Sequence, residues 1–398
     1  MLPTRTRRIR VHLPLLALTA AALTACSAAT ATDTPGKGGA AASAAQGAPA
    51  KVTVAPPTAG RPVTVTASGG TLAQVKVVDT KGGVLAGRSS ADAVSWASDR
   101  KAAPGTSYTI EVVARGSGGK ESTSRSSFTT PKANLVNKLT LAPGKNTTVG
   151  VGQPLSIVFD RPVGDKAAVE RQLKVTTSNG TEGSWGWMTD YSGKDRVDWR
   201  PRAYWKPGTK VTLDATLNGT DSGRDGGWFV RDYKTGFTVD STARVVRVDL
   251  DRKQLRLEQD GRTVRTVPVS GGTPGGDKRS WRGTAVLMAK EGTIRMNSET
   301  VGLGNAYDKM VKSSMRLTWS GMYAHAAPWN AQYFGNANKS SGCIGMSSEQ
   351  AADLFSTLRP GDPFEIKGAD TKGVVAEGNG YGEWNLSWEQ WRAKSALR

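Results

Sequence analysis

The pattern of hydrophobic and polar positions predicts short β-strands along most of the chain. Apolar and polar residues alternate with a period of two in 63–66 and 108–112, as in a strand with one buried face. Glycine pairs such as Gly69-Gly70 separate such runs and mark turns. Short strands with frequent turn signals predict a small β-sandwich over 51–131.

A second β-rich segment follows over 132–240. It contains strand-like runs at 155–159 and 174–177, and five of the 12 Trp residues of the chain. We expect these Trp side chains to fill its core, with sugar stacking as an alternative role for one or two of them. Neither β-rich segment contains His or Cys, so neither is predicted to be catalytic.

The pattern changes again at about residue 241. Alternating runs at 245–249, 254–258 and 263–269 predict three strands, with a hairpin turn at 259–262 between the last two. The sequence Ser-Ser-Glu-Gln at 347–350 resembles a capping box that opens a helix. We expect that helix to continue through Leu354, Phe355 and Leu358 and to end before Pro360-Gly361.

The last part of the chain, 370–398, is predicted to be a helical tail. Trp384, Trp388 and Trp391 have the i, i+4, i+7 spacing of one helical face. We expect this face to dock on the final domain.

The N-terminus predicts export. Four Arg residues within the first 12 positions precede an apolar stretch over 13–25, which is typical of a secretory signal over 1–25. The signal ends in Leu-Thr-Ala-Cys, which resembles a bacterial lipobox with Cys26 as the lipidated residue. An ordinary signal followed by a chance Cys is the alternative. The residues after Cys26, up to 50, are small or polar and predict a flexible linker.

The charge of the chain bears on its partners. It has 53 Lys and Arg against 34 Asp and Glu, a formal net charge of +19, and such a balance favours polyanions. Export makes anionic lipid and anionic wall polymers the expected partners, and we expect no nucleic acid. Two Cys and two His exclude a disulfide scaffold and a His-rich metal site, so no metal or cofactor is predicted.

The candidate chemistry lies in one window, 323–346. It contains His325 and Cys343, which are the only His and Cys after Cys26. A Cys attacks as the thiolate, and a nearby imidazole can accept its proton. Gly342 suits a tight turn that exposes the sulfur and directs backbone N–H groups at an oxyanion. The alternative is a buried structural Cys beside a structural His.

This window resembles the catalytic domain of the L,D-transpeptidases (the YkuD family). The mycobacterial-type members, which are lipoproteins with Ig-like domains before the catalytic domain, are the nearer match. The residues that carry the resemblance are Ser320-Gly321, His325-Ala-Ala-Pro-Trp329, Ser340-Ser-Gly-Cys343, Gly382-Glu-Trp-Asn-Leu-Ser-Trp388, Trp199-Arg-Pro201 and Trp205-Lys-Pro-Gly208.

The resemblance implies a mainly β architecture. Two Ig-like β-sandwich domains, over 51–131 and 132–240, would precede a β-rich YkuD-type catalytic domain over 241–369 and the helical tail docked on it. The protein would lie outside the cytoplasm, lipid-anchored to the outer face of the membrane and facing the cell wall. The resemblance covers 132–398 well and 51–131 only in layout.

The resemblance also implies a peptidoglycan cross-linking activity. Cys343 would attack the third residue of a tetrapeptide stem, release D-Ala and form a thioester, which the amine of a second stem resolves to a 3→3 cross-link. His325 would act as general acid and base. Carbapenems and other β-lactams would acylate the same Cys.

Further roles follow from the same resemblance. The Ala326 carbonyl would orient His325, and the Gly342 and Cys343 N–H groups with the Tyr307 hydroxyl would hold the oxyanion. The residues implied in substrate binding are Tyr307, Ser320, Gly321, Trp329, Ser340, Ser341 and Gly345.

The sequence departs from the family pattern at three places. Ser341 stands where the family has His before Gly-Cys, and Gly345 where it usually has Asn or Arg. The strand motif Thr-Pro-x-Gly reads Ser280-Trp-Arg-Gly283. Two alternatives therefore stay open: an L,D-carboxypeptidase, in which water resolves the same acyl-enzyme, and a non-catalytic wall-binding lipoprotein.

Overall fold

The computed structural model describes residues 48–55 and 61–398. The predicted signal, Cys26 and most of the predicted linker lie outside these residues. In the part of the chain that is described, no helix is long and apolar enough to cross a membrane.

The first segment is a β-sandwich. Its two sheets have the strand orders β1-β2-β5-β4 and β3-β6-β7, and the alternating residues Val63, Val65, Ile110 and Val112 are buried between them. The strands are β1 (Lys51–Val54), β2 (Pro62–Ser68), β3 (Gly70–Asp79), β4 (Gly87–Ser89), β5 (Ser95–Lys101), β6 (Ser107–Gly116) and β7 (Glu121–Thr129).

The second segment is also a two-sheet structure, with strand orders β12-β13-β10-β8 and β11-β14-β15-β9. Trp185, Trp187, Trp199 and Trp205 are buried in its core, which confirms the predicted core role for four of its five Trp residues. Its elements are β8 (Leu139–Ala142), β9 (Thr148–Val149), β10 (Leu155–Phe159), α1 (Lys166–Glu170), β11 (Leu173–Thr177), β12 (Gly183–Thr189), β13 (Asp195–Pro201), β14 (Lys210–Ala215) and β15 (Tyr233–Val239).

The third segment has two sheets around one core, with strand orders β18-β17-β16-β24-β19 and β20-β21-β22-β23. The predicted hairpin at 259–262 is present, and Asp260 and Gly261 both have positive φ, as the tight turn requires. The elements are β16 (Arg244–Asp249), β17 (Gln254–Gln259), β18 (Arg262–Pro268), β19 (Gly283–Val286), β20 (Ala289–Asn297), β21 (Asp308–Arg316), β22 (Tyr323–Ala326), β23 (Ile344–Met346), α2 (Ser348–Thr357) and β24 (Pro363–Lys367). Short 3₁₀ helices lie at Gly276–Lys278, Ser298–Val301 and Pro328–Tyr333.

The helix predicted after Ser347 is α2, but its cap differs from the expected one. The Ser347 side chain accepts a hydrogen bond from the Gln350 N–H, which is half of a capping box. In the described structure the buried Gln350 side-chain oxygen has no hydrogen-bond partner. The helix ends at Thr357, and Leu358 is its C-cap.

The prediction that the three tail Trp residues share one helical face is wrong. The tail forms a 3₁₀ helix over Gly382–Asn385 and a separate α-helix, α3 (Trp388–Arg392). The break arises because Ser387 and Gln390 form a complete capping box that starts a new helix. Trp384 therefore precedes the helix that carries the other two.

The tail contacts two segments rather than the final one alone. Asn385 accepts a hydrogen bond from the Thr284 N–H at 2.6 Å, in β19. Further on, the Trp391 indole donates to the Ser184 carbonyl of β12 at 3.0 Å.

Buried Arg200 of β13 donates to the Glu383 and Leu386 carbonyls at 3.2 and 3.1 Å. The guanidinium of Arg200 faces three rings, those of Trp384, Trp388 and Trp391, at 4.7, 5.8 and 5.0 Å, so the spacing of these Trp residues serves a cation–π cage.

Candidate active site

Two adjacent parallel strands carry the predicted catalytic pair. In the register of β22 with β23, His325 lies opposite Gly345, and Cys343 is two residues before Gly345. Side chains of a strand alternate between its faces, so His325 and Cys343 lie on the same face of the sheet. Both are buried, with 5% and 8% of their surface exposed.

His325 and Cys343 line one cavity of about 260 Å³. The cavity also brings together four residues predicted to bind substrate, which are Tyr307, Trp329, Ser340 and Ser341. The Trp329 ring lies 6.1 Å from the His325 ring at an interplanar angle of 28°. Trp329 is 40% exposed, so it offers an apolar wall at the mouth of the cavity.

The hydrogen bond of His325 defines its tautomer. Nδ1 lies 2.8 Å from the Ala326 carbonyl oxygen. A carbonyl only accepts, so Nδ1 carries the proton and Nε2 of the neutral ring has a free lone pair. Burial lowers the pKa of the imidazole, and the hydrogen bond to Ala326 offsets only part of this effect. His325 is therefore a neutral base at pH 7.

The Cys343 thiol is also neutral at rest. Its Sγ donates to the Gly321 carbonyl at 3.6 Å, and burial raises the pKa of the thiol to about 11. The pair is therefore a thiol and an imidazole, and not a preformed thiolate–imidazolium pair. For such a pair, attack by the sulfur would require transfer of its proton to His325 as the new bond forms.

Tyr307 is held where it can face the sulfur. Its backbone N–H donates to the Ser298 hydroxyl at 2.9 Å, and its carbonyl accepts from the Ser298 N–H at 3.0 Å. Burial, and to a lesser degree the charge of an ionised Cys343, raise the pKa of the Tyr307 hydroxyl to about 12. The hydroxyl therefore stays protonated and remains a hydrogen-bond donor.

The turn before Cys343 differs from the predicted arrangement. Gly342 has φ +119°, a conformation that favours glycine. Its N–H, which was expected to hold an oxyanion, instead donates to the Ser340 hydroxyl at 3.1 Å. That hydroxyl in turn donates to the Cys343 carbonyl at 2.6 Å. Ser340 thus stabilises the turn, and the Gly342 N–H is occupied in the resting site.

Gly345 does not lie where a substrate-binding residue is expected. Its N–H and carbonyl both pair with Ser270 at 2.9 Å, and it is not among the residues that line the cavity. A Cβ at this position would lie 2.9 Å from the Ala327 Cβ. Glycine is therefore explained by the close approach of the Ala327 side chain, which leaves too little room for a Cβ.

Ser320 and Gly321 form a turn on the other side of the sulfur. Gly321 has φ +90°, and a Cβ there would lie 2.5 Å from the Val301 Cγ1. Ser320, Gly321 and Tyr307 line a narrow gap of about 30 Å³ beside the larger cavity. The turn thus reaches Cys343 through the Gly321 carbonyl.

Three lysines of this site carry no recognisable signal in the sequence. Lys278, Lys309 and Lys339 line the cavity of Cys343, and no Asp or Glu does. The Lys309 Nζ lies 4.7 Å from the centroid of the Trp329 ring. The three lysines are far apart in sequence, so only the fold brings them together. Their positive charge favours anionic groups in the cavity.

Comparison with known proteins defines the class of this fold and site. A family model described as "L,D-transpeptidase catalytic domain" matches residues 243–366, which include His325 and Cys343. A model described as "Bacterial Ig domain" matches residues 54–221, across both β-sandwiches. The chain is thus an Ig-like region followed by the catalytic domain of an L,D-transpeptidase.

The relatives identify the family. L,D-transpeptidase 2 of Mycobacterium tuberculosis (strain CDC 1551 / Oshkosh) is 32% identical over 320 residues, which cover 78% of this chain and 75% of that protein. L,D-transpeptidase 5 of strain H37Rv is 33% identical over 295 residues, 73% of this chain and 64% of that protein. The chain belongs to the L,D-transpeptidase family.

A similar solved structure is that of the L,D-transpeptidase LdtMt1 in complex with imipenem. Its sequence is 31% identical to this chain, with a TM-score of 0.49. The match covers 57% of this chain and 97% of the chain in that structure. Among residues 48–55 and 61–398, no cluster of three or more His, Cys, Asp or Glu could hold a metal ion.

Proposed function

We propose that this L,D-transpeptidase forms 3→3 cross-links between peptidoglycan stems through a thioester on Cys343. The observation that carries the proposal is the placement of His325 and Cys343 on one sheet face, at one cavity, with the Nε2 lone pair of His325 free. The membership of the chain in the L,D-transpeptidase family supports the reaction class.

Acylation begins with the neutral pair. The Cys343 proton moves to Nε2 of His325 as the sulfur attacks the carbonyl carbon of the third stem residue. The Tyr307 hydroxyl and the Cys343 N–H donate to the oxyanion. The C–N bond to the terminal D-Ala then breaks, its nitrogen takes the proton from His325, and a thioester and free D-Ala remain.

The second half of the reaction, deacylation of the thioester, returns the enzyme to its starting state. The amine of an acceptor stem attacks the thioester carbon and gives a proton to Nε2 of His325. The C–S bond breaks, the sulfur recovers that proton, and the new amide is the cross-link. Lys278, Lys309 and Lys339 would hold carboxylates of the stems, since among the described residues of the cavity wall only these three carry a charge.

We also propose the location and the domain organisation. The basic N-terminus, the apolar stretch and Cys26 support a signal over 1–25 and a lipid anchor on Cys26. The catalytic domain over 241–369 would then face the cell wall, with the β-sandwiches over 51–131 and 132–240 before it. Anionic wall polymers are candidate partners of the basic surface.

The test is product analysis with defined stems. A tetrapeptide donor with an acceptor stem should give a 3→3 dimer and one equivalent of D-Ala. Release of tripeptide alone, with the acceptor present, would identify the carboxypeptidase instead. No reaction with a folded chain would leave the wall-binding function. Cys343→Ala is the matched control and should give no product.

A further inference from the structure

The C-terminal tail touches the candidate site through one buried side chain. Asn379, which is 7% exposed, accepts a hydrogen bond from the Ser320 N–H through Oδ1 at 2.8 Å. Its Nδ2 donates to the Ser320 hydroxyl, also at 2.8 Å. Two bonds from one amide to one residue define both the position and the orientation of that residue.

The turn that Asn379 holds is the one that contacts the sulfur. Ser320 precedes Gly321, whose carbonyl accepts from the Cys343 thiol at 3.6 Å. Gly321 also packs so closely on Val301 that a Cβ would not fit. A shift of Ser320 therefore moves the carbonyl that holds the thiol.

The other side of Asn379 is anchored on the second β-sandwich. The carbonyl of the next residue, Gly380, accepts from Nη1 of Arg196 at 2.7 Å. Arg196 is 3% exposed and pairs with fully buried Asp198 of the same strand. Asn379 is thus held by β13 on one side and holds the Ser320 turn on the other.

We propose that Asn379 is a positioning residue for acyl transfer, which aligns the Cys343 thiol by holding the Gly321 carbonyl in place. The proposal rests on the proposed function in taking Cys343 as the nucleophile. The thiol donates its proton in this bond, and a hydrogen bond to the neutral form disfavours ionisation. Asn379 thereby keeps the thiol neutral and aligned until substrate arrives.

This role predicts two opposite effects of Asn379→Ala. Without the bond to Gly321 the thiol ionises more easily, so alkylation of Cys343 by iodoacetamide at pH 7 should become about 10-fold faster. The misplaced sulfur should be acylated by a stem or a carbapenem about 10- to 100-fold more slowly. Because Cys343 is buried, a general loss of stability would also expose the thiol, so a variant with an equal loss of stability elsewhere in the tail is needed to separate the two roles.

The experiment uses the full chain with Cys26→Ser, so that Cys343 is its single thiol. Alkylation is measured by intact mass from pH 6 to 10, and acylation by carbapenem at pH 7. Asn379→Asp is the conservative variant, because its carboxylate can accept from both the N–H and the hydroxyl of Ser320. It should retain an alkylation profile close to that of the parent chain.

Asn385→Ala is the matched control. Asn385 is a second tail amide, which bonds the Thr284 backbone and the Val375 carbonyl and does not touch the Ser320 turn. The Asn385→Ala variant should lose about as much thermal stability as Asn379→Ala, and its alkylation profile should match that of the parent chain.

Two results would overturn the proposal: equal alkylation profiles for Asn379→Ala and Asn385→Ala, or a profile for Asn379→Ala that matches the parent. If the parent itself is not acylated, the proposed function fails, while the alkylation profiles still decide whether Asn379 positions the thiol.

Discussion

Glu383 gives the tail a stability that depends on pH. Its side chain is fully buried, and within the described structure neither carboxyl oxygen has a hydrogen-bond partner. Burial, and then the nearby charge of Asp198, raise its pKa from 4.5 to about 8. Between pH 4.5 and 8 the folded protein therefore keeps the Glu383 proton, which the unfolded chain has already lost. The free energy of unfolding consequently falls as the pH rises through this range.

We predict that Glu383→Gln removes this loss, because Gln resembles the protonated carboxyl in shape. At pH 7, about 2.5 pH units above the unfolded pKa and at about 1.4 kcal/mol per unit, the variant should be about 3 kcal/mol more stable than the parent. The advantage should grow with pH up to about 8 and then stay level. Urea unfolding at pH 5–9, followed by Trp fluorescence, measures it, because three Trp residues lie in the tail.

The control for this prediction is a second acidic residue of the tail. Glu377 pairs with Lys394 at 2.8 Å. Burial acts to raise the pKa of Glu377, but the hydrogen bond from Lys394, a backbone hydrogen bond and the charge of Lys394 together outweigh it, so this pKa is lowered. Glu377→Gln should therefore give no advantage that grows with pH. A constant difference in stability between Glu383→Gln and the parent at all pH values would show that Glu383 does not titrate between pH 4.5 and 8.

Three further predictions concern the site. Tyr307→Phe should slow acylation by about 10²–10³-fold, as loss of one oxyanion donor does, with little change in thermal midpoint; an unchanged rate would exclude this role. Replacing Lys278, Lys309 and Lys339 together by Gln should raise KM for a stem with free carboxylates and weaken its salt dependence, whereas an amidated stem should be less affected. Alkylation of Cys343 at pH 7 should be about 100-fold slower than that of a Cys with the ordinary pKa of 9.0, because burial raises the pKa to about 11; a midpoint below pH 8 would contradict this.

The β architecture could be predicted from sequence because its signals are local. The period of two in 63–66 and 108–112 matches strands whose alternate residues are buried. The turn at 259–262 has the residues that its positive φ values require.

The tail could not be predicted in the same way. The spacing of Trp384, Trp388 and Trp391 fits a single helix, but the cap at 387 and the distant Arg200 determine the observed arrangement.

The residues of the candidate site also differ in whether the sequence alone reveals them. His325 and Cys343 are conspicuous in sequence because the chain has so few residues of either type. Lys309 and Asn379 give no such signal, since each is one of many polar residues and contacts partners that are far away in sequence. Gly345 shows a further difficulty: the residue type alone does not tell whether a glycine makes room for a ligand or for a neighbouring side chain, here that of Ala327.

The most direct test of the central claim is intact-protein mass spectrometry of the chain with a carbapenem. Cys343→Ala and His325→Ala are measured alongside, with their folding checked by thermal unfolding. We expect a one-to-one adduct on the parent, none on Cys343→Ala and a slower one on His325→Ala. No adduct on the folded parent, or an adduct that persists in Cys343→Ala, would contradict it.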